Sequence, residues 1–166
     1  MTITTNASVT TTQVYRVFNK ATPQAIWDAI TRPEWAERYG YASRVEYDLK
    51  PGGTYKAFPN GPMKNHGAPD VIIVGEVIES DPPRKLVQTW HPVWEPSIAA
   101  ESITRLTWDI EEQRGGVTRL TVTHDVTDAP LTARMVAGDD PNAGGGWSYM
   151  LSDMKTLLET GKSLAA

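Results

Sequence analysis

Cysteine is absent from this chain. Its absence excludes disulfides, thiolate nucleophiles and zinc–thiolate centres together, and it suits a cytoplasmic setting. Basic runs are absent too. The 16 Lys and Arg lie scattered among 20 Asp and Glu, for a formal net charge of -4. Nucleic acids and anionic membranes are bound through a basic stripe, so neither is an expected partner. The longest apolar run, Val71-Ile72-Ile73-Val74, is far too short to span a bilayer, and membrane insertion is not expected. The opening residues, Met1-Thr2-Ile3-Thr4-Thr5-Asn6, lack the basic and apolar regions of a secretory signal. Phenylalanine is scarce, with two Phe against six Trp and six Tyr. Trp and Tyr carry a polar tip on a large apolar body, a composition suited to lining a cavity as well as filling a core.

What is present is periodic pattern. The 166 residues suit one domain. The Thr-rich stretch 1–12 reads as an extended lead-in, followed by one domain over 13–163. Val14-Tyr15-Arg16-Val17-Phe18 is rich in strand formers. Thr22 and Pro23 fit the N-cap and N1 positions of a helix that places Ile26, Trp27 and Ile30 on one face. Pro33 opens a second short helix to Tyr39, with Trp35 and Tyr39 at i, i+4. Alternation then predicts strands over 44–49, 54–58, 70–79, 85–91, 101–112 and 117–126, the last two joined through Gly115-Gly116. The Pro- and Gly-rich stretches 59–70, 91–100 and 127–146 read as loops. Trp147, Met150, Leu151, Met154, Leu157 and Leu158 recur with helical period, and Gly161 fits the C′ position that ends that helix. Consecutive strands joined by tight turns make an antiparallel sheet, and one long helix is available to cover its apolar face. The fold class is therefore α+β.

Several motifs spread along the chain carry a resemblance. They are Ala21-Thr22-Pro23 with Ile26-Trp27-Asp28-Ala29-Ile30, Asp48-Leu49-Lys50-Pro51-Gly52-Gly53-Thr54-Tyr55, and the run Gly75 to Val87 with Thr89-Trp90. Thr118 to His124 and Gly146-Trp147 with Leu151 and Met154-Lys155 complete the set. From about Val14 to Gly161 the chain resembles the SRPBCC (START-like) superfamily, and within it the bacterial stand-alone domains of the group named after the activator of the heat-shock-protein-90 ATPase. The resemblance implies a helix-grip fold, in which a curved antiparallel sheet wraps around the C-terminal helix and leaves a hydrophobic cavity between them. It also implies a choice of functions, because the superfamily includes carriers, cyclases and co-chaperone domains.

Such cavities are mostly apolar with a few placed polar groups. The expected lining from the short helices and inward strand faces is Trp35, Tyr39, Tyr41, Tyr55, Trp90 and Trp108. His124, Trp147 and Met150 complete it. A small hydrophobic or aromatic molecule is the expected partner, and a homodimer is compatible with the pattern. The alternatives are a cofactor-free cyclase, dehydratase or hydrolase with His124 or His91 as general base, and a stress-related interaction module. His66, in a Gly/Pro/Asn-rich stretch, is expected in solvent. The three histidines stand apart with no ligand spacing, so no metal and no cofactor is expected. Glu76 and Glu101 are placed on strands beside the cavity, either as solvated side chains or as buried acids with raised pKa. Gly144-Gly145-Gly146 reads as a hinge that would let 127–146 act as a lid; it lacks the residues of a phosphate loop.

Overall fold

A computed structural model describes residues 11–165. Residues 1–10, most of the expected lead-in, lie outside the described residues. The first strand, β1 (Thr12–Asn19), starts inside that lead-in, so Thr12 and Gln13 belong to the sheet. It is followed by helices α1 (Pro23–Thr31) and α2 (Pro33–Ala36) and strands β2 (Val45–Tyr47) and β3 (Thr54–Ala57). Strands β4 (Ile73–Asp81), β5 (Lys85–Pro92), β6 (Thr104–Glu112) and β7 (Thr118–Asp125) come next. The long helix α6 (Gly146–Thr160) closes the order. All seven strands form one sheet in the order β1-β7-β6-β5-β4-β3-β2, antiparallel at every pairing. This is the α+β helix-grip arrangement.

The three stretches read as loops each contain a short helix: α3 (Gly61–Asn65), α4 (Pro96–Ala99) and α5 (Pro130–Val136). Each carries its proline in the first turn, where the missing N–H costs nothing and the fixed φ favours the helix. The same prolines that argue against continuing an element are here the start of one.

Alternation sets the core face of the central strands. On β6, Thr104, Leu106, Trp108 and Ile110 point inward, and on β7, Thr118, Leu120, Val122 and His124 do. Register stacks Leu106 on His124 and Trp108 on Val122, while Gln88 of β5 faces Leu106. Leu86, Leu106, Leu120 and Ile26 have no exposed surface, and burying each stabilises the fold by about 1.5–3 kcal/mol. Trp147, Leu151, Met154 and Leu157 of α6 are buried on this face, with Ile26, Trp27 and Ile30 of α1. Helix α6 stops at Gly161, which adopts φ +80° and returns its N–H to the Leu157 carbonyl at 2.8 Å. That left-handed turn is the one glycine reaches without steric cost.

Within α6 the carboxylate of Asp153 is buried and accepts from the backbone N–H groups of Gly40 at 2.8 Å and Leu164 at 2.6 Å. It ties the segment after α2 and the chain's tail to the last helix. No described helix is long and apolar enough to cross a membrane.

Candidate functional site

The sheet and α6 do not close on each other along their full length. Between the first turn of α6 and the β2–β6 end of the sheet lies a cavity of about 610 Å³. Its floor comes from the strands: Tyr47 from β2, Tyr55 and Ala57 from β3, Trp90 from β5 and Trp108 from β6. Trp147 and Met150 of α6 form the roof, and Ile30 and Tyr39 close one side. The mouth is marked by lining residues that are also exposed: His66 and Gly67 after α3, and Asn142 and Gly144 after α5. The volume lies within the range of small-molecule sites, roughly 300–1,000 Å³.

Several polar groups in and behind the cavity wall are held in fixed directions. Gln88 has no exposed surface, and its Oε1 accepts from the Tyr47 hydroxyl at 2.6 Å and from the Trp108 indole at 3.1 Å. The Tyr39 hydroxyl donates to the Ala29 carbonyl at 2.7 Å. Tyr47 and Tyr55 face each other across β2 and β3, with ring centroids 4.6 Å apart. Burial pushes the pKa of Tyr39, Tyr47 and Tyr55 up, so all three are neutral phenols. Tyr41, at the mouth, accepts from the backbone N–H of Gly146 at 3.0 Å.

Of the residues expected in the lining, Tyr39, Tyr41, Tyr55, Trp90, Trp108 and Trp147 do face the cavity, as does Met150. Trp35 and His124 do not. Helix α2 ends at Ala36, so the i, i+4 relation between Trp35 and Tyr39 is lost. Tyr39 turns inward, while Trp35 packs half-buried under the Arg38 guanidinium, 4.7 Å above its ring.

His124 is fully buried behind the cavity wall, between Trp90 and Trp147. Both its ring nitrogens are engaged. The Trp147 indole, a donor only, gives its N–H to Nδ1 at 3.0 Å. Nε2 therefore carries the proton and donates to Thr104 Oγ1 at 2.8 Å, and Thr104 donates on to the Trp90 carbonyl at 2.5 Å. Desolvation lowers the His124 pKa to about 4. A neutral, fully bonded imidazole away from the cavity has no position from which to take a substrate proton, so this candidate of the enzyme alternative sits here as a structural histidine. His91 also lies off the cavity; its Nε2 donates to the Ala99 carbonyl at 3.0 Å, and its Nδ1 is buried without a partner among the described residues.

His66 is the histidine that reaches the cavity. It caps the end of α3 with its side chain exposed, and Nδ1 donates to the Pro62 carbonyl at 2.8 Å. The sequence places it in solvent, which is correct, but α3 brings it to the mouth. Glu76 is exposed. Glu101 precedes β6 rather than lying on it, because the strand begins at Thr104. Its carboxylate accepts from the backbone N–H groups of Leu131 at 2.7 Å and Thr132 at 2.8 Å, and from the Thr132 hydroxyl at 2.8 Å. It thus caps α5, whose own N-cap residue, Ala129, has no side chain able to do so. Lining residues absent from the sequence expectation include Tyr47, Trp94, Met63 and Met135. Tyr47 had a signal, the alternation of β2; Met63 and Met135 sit on the short helices hidden behind prolines.

The triple glycine has a steric reason. A side chain on Gly144 would strike the Tyr41 ring, and one on Gly146, at φ +66°, would strike the Val136 carbonyl. Close approach between α5, Tyr41 and the start of α6 requires glycine there. Among the described residues no group of three His, Cys, Asp or Glu is placed to hold a metal ion.

Comparison with known proteins matches this architecture. No curated sequence matches the chain. An Hsp90 activator from Plasmodium falciparum, PFC0360w, superposes with a TM-score of 0.63 at 20% identity, covering 90% of this chain and 96% of that one. Protein MLL2253 from Mesorhizobium loti superposes at 0.67 and 17% identity, covering 89% and 96%. CalU16 from Micromonospora echinospora gives 0.61 at 19% identity, covering 90% and 77%. At these identities the likeness concerns the fold. The sequence itself matches the family described as Activator of Hsp90 ATPase homolog 1-like protein over residues 20–159. With the sheet order, the gripping helix and a family match over most of its length, the chain belongs to the Activator of Hsp90 ATPase homolog 1-like family.

Proposed function

We propose that this domain binds a small apolar or aromatic molecule in the cavity between the sheet and α6, in a cytoplasmic setting. One observation carries this function: a space of about 610 Å³ whose walls are aromatic and aliphatic and whose mouth reaches solvent beside His66 and Asn142. A guest covering those walls gains about 25 cal/mol for each Å² of apolar surface removed from water, while the tyrosine hydroxyls orient it. Among the described residues no histidine stands within the cavity's depth to act as a base, which favours binding over catalysis.

N-phenyl-1-naphthylamine, a neutral apolar fluorophore, provides the test. The expected result is saturable one-to-one binding, energy transfer from the cavity tryptophans and a higher Tm. Val45→Trp, which fills the cavity from the half-buried edge strand β2, should abolish the binding and keep the fold. Non-saturable binding, or binding unaffected by Val45→Trp in a folded protein, overturns the proposal. The family description and the Plasmodium protein's name favour a second function, in which the surface engages an ATPase partner. Stimulation of an ATPase that survives Val45→Trp would move the function to that surface.

A further inference from the structure

Among the described residues, those that line the cavity include no Asp, Glu, Lys or Arg. The lining histidine, His66, sits at the exposed mouth and not in the cavity's depth. The first turn of α6 also reaches the cavity through Gly146 and Trp147, and a helix N-terminus attracts negative charge. Here the Gly146 N–H is already taken by the Tyr41 hydroxyl. A charged guest would therefore lose its hydration without gaining a counter-charge in the wall.

The floor has a directional polar group. Of the tyrosines in the floor and side wall, two have spent their protons: Tyr39 on the Ala29 carbonyl and Tyr47 on Gln88. Tyr55 has not. Its side chain lines the cavity, and among the described residues its hydroxyl makes no hydrogen bond. A buried phenol with an unspent proton, facing an apolar hollow, is matched by a hydrogen-bond acceptor on a guest.

We infer that the cavity selects uncharged multi-ring molecules carrying an acceptor oxygen, such as an aryl ketone, and that Tyr55 donates the hydrogen bond that orients them. This inference rests on the ligand-binding function proposed above and adds the ligand's charge and its one polar contact.

Three probes of nearly equal size separate the contributions: 2-acetylnaphthalene (neutral, with an acceptor), 2-isopropylnaphthalene (neutral, without one) and 2-naphthoate (charged). Dissociation constants are measured at pH 8 by quenching of tryptophan emission. The ketone should bind at least tenfold more tightly than the naphthoate and several-fold more tightly than the hydrocarbon. Tyr55→Phe should bring ketone and hydrocarbon to within twofold of each other and leave hydrocarbon affinity nearly unchanged, which also reports that the variant is folded. Tyr15→Phe, on β1 and outside the cavity lining, should keep the ketone's advantage. Naphthoate binding as tightly as the ketone, or a ketone advantage that persists in Tyr55→Phe, overturns the inference while leaving the cavity's function intact. If all three probes and N-phenyl-1-naphthylamine fail to bind, both fall together.

Discussion

The indole N–H of Trp147 donates to Nδ1 of His124 across 3.0 Å, joining the roof of the cavity to the strand behind it. The bond belongs to a chain that runs from Trp147 through His124 and Thr104 to the Trp90 carbonyl. Both ends of that chain are cavity walls. A buried network of this kind holds its members in one arrangement when every group is satisfied, so the histidine orients two of the tryptophans a ligand would touch.

This network makes stability depend on pH. Burial lowers the His124 pKa in the folded protein from the ordinary 6.5 to about 4. As pH falls below 6.5 the unfolded chain takes up a proton that the folded chain does not. The contribution is thus complete above 6.5 and lost as pH falls toward 4, amounting to on the order of 3 kcal/mol. Urea denaturation from pH 7.5 to 4, with His124→Gln as the reference, should show a steeper loss in the wild-type protein. Parallel pH profiles would refute it.

Trp147→Phe keeps a ring in place and removes the N–H. Nδ1 of His124 is then buried with no donor, at a cost of about 1–3 kcal/mol. The histidine should also become easier to protonate, because a proton on Nδ1 no longer confronts the indole N–H. Chemical-shift titration of the His124 ring should place its pKa above the wild-type value.

Glu101→Ala removes three hydrogen bonds from the start of α5. A lost cap costs about 1–2 kcal/mol, and here the damage should be local. Hydrogen exchange at Leu131 and Thr132 should accelerate more than exchange in β6 and β7. Since Met135 and Val136 of α5 line the cavity, N-phenyl-1-naphthylamine should also bind more weakly.

Gly146→Ala combines a left-handed backbone with a clash against the Val136 carbonyl. The expected cost is about 3 kcal/mol, strain and overpacking together. Gly52→Ala is the matched control. It has φ +83° and open space around it, so strain alone remains, about 1–2 kcal/mol. Urea unfolding of the two variants should separate them clearly.

The fold was largely legible because its signals are local. Leu106, Trp108 and Ile110 alternate within one strand, and Trp147, Met150, Leu151 and Met154 repeat within one helix; each periodicity names a face without reference to the rest of the chain. Where the reading missed, a local signal had two meanings. Pro62, Pro96 and Pro130 were signs of a break and were also first-turn residues of short helices. Glu101 continued an alternating pattern and was nonetheless the cap of a helix thirty residues away.

By itself, the order of residues determined the seven strands, the gripping helix and the aromatic character of the inward face, since these follow from spacing along the chain. The tertiary structure alone decided which inward residues meet empty space and which meet one another. His124 on β7 and Tyr55 on β3 both point inward from one sheet, yet the first is sealed behind tryptophan and the second faces the hollow. That difference depends on how far the sheet curves away from α6, a distance set by packing between remote segments, and no pattern within either strand records it.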